Sequence, residues 1–117
     1  MKKIISLLFI CLLITACSKN SYDTIDTNRA LELIDTGAIV IDVRTPAEFN
    51  REHIPNAVNI PLEDIDKIGY AKEDTIIIYC QTGIRSKQAV ETLANLGYTS
   101  LYNLDGGLLN WGGKLEE

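Results

Sequence analysis

Seven consecutive residues, Cys80, Gln81, Thr82, Gly83, Ile84, Arg85 and Ser86, bring a thiol, two hydroxyls, a glycine and a guanidinium into one short stretch. An apolar run, Thr75 to Tyr79, precedes them and a helical pattern from Arg85 to Leu96 follows. A cysteine between a buried strand and a helix N-terminus faces unpaired N–H groups and about half a positive charge, which favours thiolate over thiol and draws an anion to its side. Gly83 lets the loop curl so that successive N–H groups converge. The Arg85 fork matches a tetrahedral oxyanion. The Thr82 hydroxyl is in reach of the sulfur or of a bound oxygen, and Ser86 is placed to cap the helix. Singly, each has an ordinary reading: a small core residue, a turn glycine, a solvated charge. Together they predict Cys80 as a nucleophile, with Gln81 to Ser86 as its anion-binding loop.

Such a loop needs a rigid frame. Ala38 to Val43 and Thr75 to Tyr79 are short apolar runs of the kind that form central strands of a parallel sheet, and Val58 to Ile60 and Leu101 to Leu104 are weaker examples. Between them, Thr27 is expected to cap a helix through Leu31, Leu33 and Ile34 that stops at Gly37. A turn-helix is expected at Pro46 to Asn50 and another helix from Leu62 to about Ile68. In the helix after the loop, Ala89, Val90, Leu93 and Leu96 recur at helical spacing before Gly97. The alternation predicts an α/β open sandwich, a central mostly parallel sheet with helices on both faces, whose site lies beyond the carboxyl ends of the strands.

The whole chain has 117 residues and a net charge of −5, which disfavours a nucleic-acid partner, and its three cysteines, Cys11, Cys17 and Cys80, have neither disulfide nor zinc spacing. No cofactor or metal is expected. Lys2 and Lys3 precede an apolar stretch from Ile4 to Ile14 that is too short for the roughly 20-residue span a membrane requires, and it reads as a secretory signal. Ile14, Thr15, Ala16 and Cys17 resemble the lipobox of bacterial lipoproteins. That resemblance implies removal of residues 1–16, lipid on Cys17, and attachment to a bacterial membrane facing the periplasm or exterior. Residues 17–24 are then a lipidated end and short linker, and 25–117 the domain. The exported chain keeps 101 residues, a charge of −7 and one unmodified thiol, Cys80.

The run Cys80 to Ser86 resembles the active-site loop of the rhodanese family, the single-domain thiosulfate sulfurtransferases. Ile41-Asp42-Val43-Arg44 with Glu48-Phe49, His53-Ile54-Pro55 and Ala57 to Pro61 resemble the family's first block, and Leu104-Asp105-Gly106-Gly107 with Trp111 its closing block. Glu52 and Asn56 depart from it, standing where glycine is frequent. The resemblance implies transfer of a sulfane sulfur from a donor such as thiosulfate to Cys80 and on to a thiol or cyanide. Asp42, Arg44 and Glu48 are expected to form a local structural network, His53 to make structural hydrogen bonds, and Trp111 to anchor packing. A phosphatase or arsenate reductase of the related larger-loop branch is the nearest rival. It needs five residues between cysteine and arginine, whereas Gln81 to Ile84 provide four. A non-catalytic, lipid-anchored binding module is the other alternative, and retention of the cysteine speaks against it.

Overall fold

The computed structural model describes residues 21–117. The signal segment 1–16 and Cys17 lie outside the described residues. At the centre is β4 (Ile76–Tyr79), buried along its whole length. Three isoleucines and a tyrosine leave it no polar face, so it is stable only with helices on both sides. β2 (Ile39–Asp42) and β5 (Leu101–Leu104) flank it, β3 (Val58–Asn59) lies outside β2 and β1 (Tyr22–Ile25) outside β5. All four strand pairings are parallel.

Each face of the sheet has its own core. On one, Ile41, Ile76, Ile78 and Cys80 pack with Ala89, Val90 and Leu93 of α3 (Ile84–Asn95) and with Ile65 of a 3₁₀-helix (Leu62–Lys67). On the other, Val40, Ile77, Tyr79 and Leu104 pack with Ala30 of α1 (Thr27–Asp35) and Leu108 of α4 (Gly107–Asn110). α2 (Pro46–Arg51) is a short helix after β2 that buries no residue fully. This is the expected α/β sandwich, with its sheet wholly rather than mostly parallel.

Three local expectations are corrected. Tyr22 to Thr24, read as linker, belong to strand β1, whose Tyr22 pairs with Leu101 and Ile25 with Leu104. The cap of α1 is Asp26, whose extended backbone lets its carboxylate accept from the Arg29 N–H at 2.9 Å. Thr27 is already helical, and its hydroxyl accepts the Gly112 N–H instead. The segment after Pro61 is a 3₁₀-helix ending at Lys67. Of the two departures from glycine, Asn56 adopts φ +67°, a left-handed conformation asparagine tolerates, whereas Glu52 is extended at φ −170° and needs no glycine.

Candidate active site

β4 ends at Tyr79 and delivers Cys80 beneath the first turn of α3. Its Sγ accepts the Gly83 N–H at 3.1 Å and the Ser86 N–H at 3.4 Å, and lies 3.5 Å from the Ser86 hydroxyl. Gly83 adopts φ +101° as the residue before the helix, turning the chain so that these donors converge. Burial pushes the thiol upward, but the hydroxyl and N–H of Ser86 and the N–H groups of Gly83 and Thr82 stabilise the anion. The net result is a pKa below the ordinary thiol value. Ser86 is therefore not the helix cap, a place taken by Gly83: it is buried within the first turn of α3, facing the sulfur. Thr82 contributes its N–H while its side chain is exposed.

The rest of the loop is anchored from below. Arg44, 3% exposed, donates through Nε to both oxygens of the fully buried Asp42 and through Nη2 to Asp42 Oδ2 at 2.7 Å. Its Nη2 also reaches the Glu52 carbonyl, and its Nη1 donates to Gln81 Oε1 at 3.2 Å. Asn59 Nδ2 donates to the carbonyls of both Asp42 and Arg44. The pair thus ties the ends of β2 and β3 to the first loop residue. Glu48, expected in this network, lies outside it. It pairs with Arg85, Nη1 to Oε1 at 2.9 Å and Nη2 to Oε2 at 3.1 Å, and closes a capping box with Thr45. The Arg85 guanidinium, followed by hydrogen bonds from Thr45, holds the Glu48 carboxyl down to about 2 against the opposing effect of burial. Ile84 projects outward, 69% exposed.

The closing block proves to be a buttress that spacing alone did not disclose. The N–H groups of Leu108 and Leu109 donate to the carbonyls of Cys80 and Gln81 at 2.9 and 3.1 Å. So close an approach requires Gly107, at φ +62°, where a Cβ would stand 2.5 Å from the Cys80 oxygen and 2.7 Å from Gln81. Gly107→Ala should therefore cost about 2 to 3 kcal/mol through strain and overlap, read as a lower urea midpoint with loss of activity. Full retention of both would mean that α4 can withdraw without moving the loop.

His53 sits apart from the sulfur: Nδ1 contacts the Phe49 carbonyl at 2.8 Å, Nε2 is 3.4 Å from Glu116, and the ring stacks on Phe49. Trp111 donates its indole N–H to the Lys114 carbonyl. Both make hydrogen bonds of the kind expected for them. Among the described residues no three His, Cys, Asp or Glu side chains converge to hold a metal ion.

Known proteins resemble this chain in sequence and in fold. YqhL of Bacillus subtilis, described as uncharacterized, is 43% identical over 81 residues, covering 68% of this chain and 64% of its own. The thiosulfate sulfurtransferase PspE of Escherichia coli is 43% identical over 70 residues, covering 56% of this chain and 67% of its own. This chain therefore spans about two thirds of the length of these relatives. Among solved structures, a rhodanese-related protein from Thermoplasma volcanium superposes with a TM-score of 0.72 at 31% identity, covering 81% of this chain and 98% of that one. The sequence model of the rhodanese-like domain matches residues 26–114, from the cap of α1 past the α4 buttress. With β4, its thiol loop and the glycine that supports it all inside that span, the chain belongs to the rhodanese-like domain family.

Proposed function

We propose that the protein is a sulfurtransferase that carries a sulfane sulfur on Cys80 between a donor such as thiosulfate and a thiol or cyanide acceptor. The observation that carries this reading is the Cys80 thiol, whose anion is stabilised by the N–H groups of Gly83 and Ser86 and the hydroxyl of Ser86. A relative 43% identical over 70 residues, PspE, bears the name of that activity.

In the first step the Cys80 thiolate attacks the outer sulfur of thiosulfate. A bond forms between the two sulfurs, the donor's S–S bond breaks, and its electron pair leaves with sulfite, so that thiolate and thiosulfate dianion become persulfide anion and sulfite dianion. In the second step an acceptor takes the outer sulfur and the electron pair returns to Cys80. Cyanide leaves as thiocyanate, and a thiolate leaves as a persulfide. The donors around Sγ then stabilise the thiolate as leaving group. Among the described residues Cys80 is the one free cysteine, so no neighbouring thiol is at hand to resolve the persulfide as a disulfide. Cys80 is fully buried at the base of the loop.

The four-residue spacing between Cys80 and Arg85 favours this chemistry over the phosphatase alternative. Intact mass after thiosulfate treatment tests the proposal. The expected result is a gain of one sulfur atom that cyanide removes, and an unchanged mass with active-site thiol intact would overturn it. For location, we infer export and lipid attachment at Cys17. Radiolabelled palmitate should enter the wild-type chain and not Cys17→Ala, while equal labelling of both would exclude that anchor.

A further inference from the structure

Arg85 is the cation expected to receive an anionic donor, yet both prongs of its fork are engaged by Glu48, at 2.9 and 3.1 Å. The pair is partly shielded from solvent, with side chains 37% and 23% exposed. Glu48 is not free to swing away, because its Oε1 also accepts from the Thr45 N–H at 3.0 Å and the Thr45 hydroxyl at 3.1 Å. Asp42 and Arg44 neutralise one another beneath the loop. With Cys80 as thiolate, the groups gathered here sum to a net −1 before any donor arrives. Beside them, Ile84 opens α3 and Leu109 sits on the buttress bonded to Gln81, each 69% exposed. Thiosulfate would bring two further negative charges to a site whose arginine is already compensated and beside which Ile84 and Leu109 offer exposed apolar side chains. A donor with carbon in place of one anionic oxygen meets less repulsion and has a surface to lie on.

We propose that Glu48 is a charge selector: by compensating Arg85 it biases the site toward organic sulfane donors carrying at most one charge, such as aryl thiosulfonates or alkyl persulfides, over the thiosulfate dianion. This rests on the sulfurtransferase reading above. The step balances as before. Cys80 thiolate and benzenethiosulfonate give the Cys80 persulfide anion and benzenesulfinate, the S–S bond of the donor breaking and its electron pair leaving with the sulfinate. The Arg85 guanidinium holds the Glu48 carboxyl down to about 2, so Glu48 carries its charge at neutral pH.

Two ratios test it, one of them independent of turnover. The first is kcat/KM for thiosulfate over that for benzenethiosulfonate. The second is the rate of Cys80 alkylation by anionic iodoacetate over that by neutral iodoacetamide, in which the thiolate fraction cancels. Glutamine suits the capping-box position, so Glu48→Gln keeps α2 capped while removing the charge. Both ratios should rise about fivefold or more in Glu48→Gln, as expected for one unit charge a few ångströms away in a partly screened site. Arg85→Gln, measured alongside in case the first variant does not fold, should lower both. Ratios indifferent to both substitutions would overturn the selector role. Absence of sulfur transfer from either donor would instead overturn the sulfurtransferase reading, with the alkylation ratio still deciding whether Glu48 sets the charge at the thiol.

Discussion

Cys80→Ser should lower sulfur transfer from thiosulfate to cyanide by about 10⁴-fold or more and remove the mass gain on thiosulfate treatment. The substitution changes one atom at a fully buried position whose neighbours remain, so the fold should persist and the loss can be assigned to chemistry. A hydroxyl in the same place keeps the Gly83 and Ser86 donors but holds its proton far more tightly than a thiol, and it forms no persulfide. Wild-type turnover in Cys80→Ser would remove the nucleophile assignment altogether. Cys80-dependent hydrolysis of an aryl phosphate would instead favour the phosphatase reading. The same donors make the thiol's titration informative: alkylation of Cys80 should reach half its maximal rate below the pH at which an ordinary cysteine does. Because the folded state lowers this pKa, the stability it contributes is full above the unfolded thiol's pKa and disappears as pH falls through the folded one.

Asp42→Ala should cost about 3 to 5 kcal/mol of stability, measured as the shift in urea unfolding at constant slope. Asp42 is fully buried and takes three hydrogen bonds from the Arg44 side chain and one from its backbone N–H. Removing the carboxylate leaves a guanidinium enclosed between Tyr79, 5.8 Å from its ring centre, and the Glu52 carbonyl, with no compensating charge. The damage should extend upward, since Arg44 also holds Gln81 at the start of the loop. A loss below about 1 kcal/mol would mean that solvent reaches Arg44 readily in the variant and that the pair is not the clamp described.

The thiol loop was legible because its cues are local: a continuous apolar strand, a glycine and a helical repeat lie within twenty-odd consecutive residues. What escaped is long-range or half-exposed. Arg85 and Glu48 are 37 positions apart, and nothing in either neighbourhood specifies the partner. Arg44, two residues from Asp42, made a local triad with Glu48 look natural, but the capping box turns the Glu48 carboxylate toward α3 instead. Ser86 has the chemistry of a cap, and only the left-handed turn at Gly83 sets the helix to begin earlier and buries the hydroxyl against the sulfur. β1 alternates Tyr, Asp, Thr and Ile with only Ile25 fully buried, the composition of an edge, and so it passed for linker. Gly107 was part of a recognised block, but the reason for a glycine there is a backbone contact with the loop that no spacing encodes.

The wholly parallel sheet also gives the molecule a direction. Tyr22 lies beside Leu101, where strands begin, whereas Cys80 follows the residue where β4 ends. Four residues of strand, about 13 Å, separate the two poles of the sheet. Cys17 precedes Ser21, the first described residue, by only four positions. The lipid tether proposed at Cys17 would hold the entry pole toward a bilayer and turn the thiol outward. Water-borne donors would meet the loop without approaching lipid, and an acceptor embedded in the same membrane would have to extend past the height of the domain to collect its sulfur.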